Sequence, residues 1–278
     1  MILVLYHYPC TDGFTAAWVA HRALSSRGER VRLLPRSYGE PFPTEEAEGA
    51  KQVFILDFSY RREVLEPLME KYRITVIDHH ATAQKDLEGL PNVFFDMNRS
   101  GAGLTWDYFF PENERLRLVH YVEDRDLWRF QHPHSMEVNA YIGTFSYSIS
   151  EYNRLASEIE EGLYEVRDRG AAVLRYIEKG ASLLCDYARK QTFLGYEAIP
   201  VVNAPPFLSS EVGHRTCHGS LFSVSWFVDE EGFYVYSLRS DGGFDVSALA
   251  KTQGGGGHRA AAGFRSRKSP EHYSKGCG

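Results

Sequence analysis

At 278 residues the chain has the length of about two ordinary domains, or of one large one. With 43% hydrophobic and 14% aromatic residues it can bury a sizeable core, which excludes a disordered chain. Lys and Arg total 31 against 37 Asp and Glu, a formal charge of -6, which argues against a reader of long duplex nucleic acid and leaves room for small phosphorylated ligands.

No stretch approaches ~18 uninterrupted apolar residues, so no membrane span is expected. The opening MILVLY is apolar but short, lacks a basic leader and runs into polar residues, unlike a signal peptide. Cys10, Cys185, Cys217 and Cys277 are widely scattered, which disfavours both a disulfide scaffold and a paired-CxxC zinc site. A reduced, cytoplasmic protein is the expectation.

In chain order, ILVLY (2–6) reads as a short buried strand and FTAAWVAHRAL (14–24) as a helix. VFIL (53–56) and ITVI (74–77) are two more buried strands. Between them, Val64, Leu65, Leu68 and Tyr72 fall at helical spacing, so a βαβ unit fits. Alternation of this kind predicts an α/β fold with a mostly parallel sheet and helices on both faces. Residues 102–123 read as one or two helices and 150–190 as a long helical stretch. YEAIPVVN, SLFSVSWFV and GFYVYSLR are strand-like, and AAAGF after the Gly run reads as a helix. The domain expectation is 1–148, a helical connector over 149–192, and a smaller α/β domain over 193–278.

Each of the three N-terminal strands is followed at once by potential metal ligands: His7 and Asp12, then Asp57, then Asp78, His79 and His80. In an open parallel sheet the carboxyl ends of strands share one edge, and neighbouring strands lie only about 4.8 Å apart. VEDRDLW (122–128) adds Asp124 and Asp126 after a predicted helix. A single Asp after a strand is commonly a turn former or helix cap, and a lone His is commonly structural. Three strand ends in succession make a shared purpose the better explanation. Converging carboxylates repel and take up protons unless a cation neutralises them. Asp and His without a thiolate cluster suit manganese or magnesium better than structural zinc. Five or six ligands exceed the needs of one ion and match two ions about 3.5–4 Å apart.

HYPCTDG (7–13), LDF (56–58), VIDHH, VEDRDLW and GGGGHRAAAGF (254–264), in this order, resemble the motifs of the DHH phosphoesterase superfamily with its Gly-rich DHH-associated C-terminal domain. The resemblance covers nearly the whole chain. It implies a two-ion centre, usually manganese, with magnesium or cobalt as alternatives. His7 would bind one ion, Asp57 would bridge both, and Asp12, His79 and Asp124 would complete the second. Asp78 would orient His79 through its ring N–H, and His80 would face the substrate phosphate. Asp126, two residues beyond Asp124, is expected to anchor a neighbouring backbone or cation. One departure stands out. The family's first motif carries two acids separated by one residue, whereas here it reads Cys10-Thr11-Asp12. Two readings stay open for Cys10: a thiolate ligand to a softer ion, or a small packed residue.

Ser100, before the apolar GAGLTW, is a candidate helix N-cap, and the helix start behind it a candidate anion site. Gly255, Gly256 and Gly257, in a run of glycines, let backbone approach a ligand, with N–H groups available to an anion, and His258 and Arg259 follow with side-chain donors. A linker would also be Gly-rich. The resemblance makes Arg239 a substrate contact, and a salt bridge to Asp241 or Asp245 is its plainer reading. His214, Cys217 and His218 lack a second ligand pair and are read as a loop rather than a zinc site.

The implied activity is metal-dependent hydrolysis of phosphodiester bonds in short oligonucleotides or related small nucleotides, giving nucleoside monophosphates. Two alternatives accompany it: a pyrophosphatase or phosphomonoesterase of the same superfamily, and a nucleotide- or RNA-binding module whose metal centre has decayed, for which Cys10 is the support.

Overall fold

The computed structural model of the chain describes residues 1–37 and 39–274; Cys277 lies outside them. The chain divides into two compact units, Met1–Leu174 and Arg175–Gly278. Among the described residues no helix is long and apolar enough to cross a membrane.

The first unit runs β1 (Ile2–His7), α1 (Thr11–Ser26), β2 (Val31–Arg36), α2 (Thr44–Ala47), β3 (Gln52–Leu56), α3 (Arg62–Lys71), β4 (Ile74–Asp78), α4 (Ala81–Asp86), β5 (Val93–Phe95), α5 (Gly101–Phe109), α6 (Arg117–Asp126), α7 (Ser135–Ile142), α8 (Ile149–Glu161) and the start of α9 (Leu163–Asp186). Its five strands form one sheet in the order β2-β1-β3-β4-β5, with every pair parallel. The runs ILVLY, VFIL and ITVI of β1, β3 and β4 are mostly apolar because both faces are covered. Val4, Tyr6, Phe54, Leu56 and Ile77 pack with α1, α5, α6 and α8 on one face, while Leu3, Leu5, Val53, Ile55 and Val76 pack with Leu65 of α3 on the other. Burying each large aliphatic side chain contributes roughly 1.5–3 kcal/mol, so β1 and β3 anchor the sheet. Of the helical positions expected in α3, Leu65 is fully buried, but Val64 is 40% exposed and belongs to the outer face.

The second unit holds the end of α9, then β6 (Arg189–Phe193), β7 (Tyr196–Asn203), α10 (Ser209–Cys217), β8 (Ser223–Val228), β9 (Tyr234–Arg239), α11 (Val246–Thr252), β10 (Gly256–His258), β11 (Ala261–Ser266) and α12 (Pro270–Ser274). These strands form a six-stranded sheet, β10-β11-β9-β8-β7-β6, antiparallel except for the β7–β8 pair. Phe193, Val224, Tyr236, Leu238 and Phe264 build its main core. The AAAGF segment, expected as a helix, is strand β11. Ala has high intrinsic helix propensity, but pairing with β9 on one side and β10 on the other overrides it.

Candidate metal centre

The carboxyl ends of β1, β3 and β4 deliver the expected side chains to one place. Asp57 follows β3 in the left-handed region at φ 61°, which Asp tolerates better than most residues. Its carboxylate is divided between two groups. Oδ1 lies 3.1 Å from His79 Nε2, while Oδ2 lies 3.5 Å from His7 Nδ1. Potential donor atoms of His7, Cys10 and Asp57 fall within 4.8 Å of one another, and those of Asp12, His79 and Asp126 do the same. His79 Nε2 faces three acids, with Asp126 Oδ2 at 3.5 Å and Asp12 Oδ2 at 3.7 Å besides Asp57.

Asp12 is held by α5. Its Oδ2 accepts from the backbone N–H of Gly101 at 2.6 Å and its Oδ1 from Ala102 at 3.0 Å. Ser100 is the N-cap, as expected, and its hydroxyl accepts from the Gly103 N–H. The anion at this helix start is therefore the protein's own Asp12. The expectation that Ser100 and the turn behind it receive a substrate anion is not met, because these N–H groups already donate within the protein. Gly101 is needed for the approach: a Cβ there would lie 2.7 Å from Asp57 Cβ and 3.0 Å from Asp12 Oδ2.

Two assignments change places. Asp124, expected as a ligand, instead accepts from the backbone N–H groups of Gln131 and His132 and so ties down the loop after α6. Although burial opposes the shift, the Ser135 hydroxyl and these N–H groups hold its carboxyl below the usual range. Asp126, expected as an anchor, is the acid beside His79.

Asp78 is fully buried and saturated with donors. Its Oδ1 accepts from the His79 backbone N–H at 2.7 Å and lies 2.6 Å from His80 Nδ1, while Oδ2 accepts from the Ser59 hydroxyl at 2.6 Å. It therefore orients the ring of His80, not that of His79 as expected. Ser59 had no distinguishing signal in the sequence.

The electrostatics follow from burying several acids together. Burial, Asp126 and Asp57 push the Asp12 carboxyl well up. Burial opposes ionisation of Asp57, but the imidazoles of His7 and His79 outweigh it and hold its carboxyl well below the usual range. Desolvation and the carboxylates of Asp57, Asp126 and Asp12 push the Cys10 thiol well up. Burial lowers His80, but the Asp78 carboxylate outweighs it and raises the imidazole above its ordinary value. The donor set fits divalent cations. Asp57 Oδ2 is buried and meets His7 Nδ1 only at the long distance of 3.5 Å, which leaves room for a cation between them. One half offers His7, Cys10 and Asp57, the other Asp12, His79 and Asp126, with Asp57 placed to serve both.

The second-unit candidates sit at one end of its sheet. Strand register places His258 opposite Ala261, and Ala261 opposite Arg239, so the backbones at these two positions stand two strand spacings, about 10 Å, apart. Arg239 donates to the Ser210 hydroxyl at 3.0 Å. Arg259 donates to the Gly242 carbonyl at 2.9 Å, lies 3.8 Å from Asp245, and remains 63% exposed. The glycine run is structural in part: the N–H groups of Gly254 and Gly255 close the end of α11 on the carbonyls of Lys251 and Ala250, and Gly256 and Gly257 belong to β10. At Gly255 a Cβ would lie 2.6 Å from Phe264 Cβ, so close strand packing demands glycine there. The expected open nest over Gly255–Gly257 is thus partly consumed by secondary structure. In α10, the Cys217 thiol is buried and donates to the His214 carbonyl.

No family model matches the chain. An uncharacterized protein of Acanthamoeba polyphaga mimivirus is 28% identical over 292 aligned positions, which cover 94% of this chain and 66% of that protein. Among solved structures, exonuclease RecJ bound to manganese is similar with a TM-score of 0.52 and 18% identity, over 95% of this chain and 85% of that one. RecJ of Thermus thermophilus in complex with Mn2+ gives a TM-score of 0.49 and 13% identity, over 95% of this chain and 49% of that one. The parallel sheet with acids and histidines at its carboxyl edge, followed by a mixed second sheet, defines an α/β fold. More particularly, the chain shares the fold of exonuclease RecJ.

Proposed function

We propose that the chain is a two-metal phosphoesterase that hydrolyses phosphodiester bonds of short oligonucleotides or related small nucleotides to nucleoside monophosphates. The observation that carries this reading is the divided carboxylate of Asp57, with His7 and Cys10 on one side and His79, Asp12 and Asp126 on the other. The chemistry that divalent ions supply when bound in such a centre is activation of water and neutralisation of phosphoryl oxygens. Manganese is the first choice, and a RecJ of the same fold is bound to it.

The chain's own residues do the rest. Asp12, clamped by two backbone N–H groups, Asp57 and Asp126 gather negative charge where a cation is wanted. His80 is aimed by Asp78, whose carboxylate fixes the ring through Nδ1, so its other ring nitrogen is available to a phosphoryl oxygen. Asp78 is thereby a positioning residue, itself braced by Ser59. In the second unit we assign phosphate binding to Arg239, His258 and Arg259, with the backbone of Gly256 and Gly257 beside them. A guanidinium grips phosphate oxygens in pairs, which suits Arg239 and Arg259 to this task. The net charge of -6 favours short substrates over long duplexes.

Incubating the purified chain with Mn2+ and a labelled dinucleotide tests this directly. Release of nucleoside monophosphates is the expected result, and intact dinucleotide with metal demonstrably bound overturns it.

A further inference from the structure

Cys10 stands where a hard oxygen ligand would make the two halves of the centre alike. It is the N-cap residue of α1, half-buried, with its donor atom within 4.8 Å of those of His7 and Asp57. That span is close to the width of a coordination sphere with bonds of about 2.0–2.3 Å. A packing role gives no account of the second feature of this corner, the buried Asp57 Oδ2, which meets His7 Nδ1 only at 3.5 Å and makes no well-formed hydrogen bond. Imidazole, thiolate and carboxylate together form a donor set of intermediate softness, whereas Asp12, His79 and Asp126 form a harder one.

We propose that Cys10 is a metal ligand and that the His7–Cys10–Asp57 half of the centre selects a thiophilic borderline cation of the zinc or cobalt class over manganese or magnesium. The two halves are then chemically distinct, and the oxygen-rich half keeps the harder ion. Binding exchanges one bond for another: the Cys10 S–H proton leaves to solvent base and the sulfur lone pair forms the bond to the cation, with no change of oxidation state. The inference rests on the two-metal reading above and deepens it.

The test is a titration of the metal-free full chain with Co2+, in a phosphine reductant, read by absorbance and by equilibrium dialysis. A near-ultraviolet thiolate-to-cobalt charge-transfer band is expected, saturating at about one equivalent per chain. Cys10→Asp should keep the bound cobalt but lose the band, and should weaken Zn2+ relative to Mn2+ by about tenfold or more. A variant with Cys185, Cys217 and Cys277 changed to Ser should keep the band. Should the added carboxylate unfold the chain, the wild type still decides: alkylation of Cys10, followed by mass spectrometry, should slow at least about tenfold with one equivalent of Zn2+. Cobalt bound without the band, a band that survives Cys10→Asp, or alkylation indifferent to Zn2+ overturns the assignment of Cys10 alone. No cobalt bound by either protein overturns the metal-centre reading, and this inference with it.

Discussion

The carboxylate of Asp12 sits on the first backbone N–H groups of α5, with Gly101 donating at 2.6 Å. Eighty-nine residues separate the pair, so the motif after β1 is placed by the motif that opens α5. Gly101→Ala would push a methyl group against Asp57 and Asp12. The expected cost is about 1–3 kcal/mol of stability, as for overpacked cores, together with weakened metal binding. Denaturant unfolding and a metal titration check both. Unchanged values would mean that α5 does not press on the centre.

Asp124 and Asp126 should respond in opposite ways. Asp124→Asn removes a charged acceptor from two backbone N–H groups and should cost about 1–3 kcal/mol in thermal unfolding of the metal-free chain. Asp126→Asn removes one of three acids around His79. It should leave metal-free stability unchanged or higher, because like charges no longer face each other, while cutting kcat/KM by about a hundredfold or more. A variant pair with these effects exchanged would restore Asp124 as the ligand.

For His80 the decisive partner is Asp78. Asp78→Asn should lower kcat/KM by about 10–100-fold, the usual loss when the residue orienting a histidine is removed. Ser59→Ala should have the same sign and a smaller size. Steady-state kinetics with a circular dichroism check of fold would show whether the effect is positional.

In the second unit, Asp229 makes a 2.6 Å ion pair with Arg265 and accepts from the N–H groups of Glu231 and Phe233. Slight burial opposes the shift, but these partners hold its carboxyl below the usual range. A depressed acid stabilises the folded state above its unfolded pKa near 4 and loses that contribution as pH falls through its folded value. Asp229→Asn should therefore cost on the order of 1 kcal/mol at neutral pH and make the acid limb of the stability curve shallower. Unfolding curves at pH 7 and at stepped acidic pH measure the difference. An unchanged acid limb would contradict it.

The parts of this fold legible in the sequence are those buried on both faces. ILVLY, VFIL and ITVI are continuous apolar runs because helices cover each side of β1, β3 and β4, and the acids stand out for interrupting them. Strand β2 carries Arg32, Pro35 and Arg36 at the sheet's edge and has no such run, so nothing in VRLLPR announces a strand. Strand β11 was hidden by its alanines, whose small size serves close pairing with the glycine strand. Spacing alone left Asp124 and Asp126 unresolved, because the loop N–H groups that claim Asp124 come from residues seven and eight positions later. Asp78 presented a similar ambiguity, since its neighbour His79 and the next residue His80 are both within its reach.

Central to the proposed function is the carboxylate of Asp57, placed between two candidate cation sites. Asn tolerates the left-handed backbone of position 57, so Asp57→Asn removes the charge with least disturbance of the chain. Equilibrium dialysis against saturating Co2+ with elemental quantification should find about two ions per wild-type chain and the loss of both in the variant. One ion or none in the wild type, or a variant that gives up only one, would contradict the shared role of Asp57.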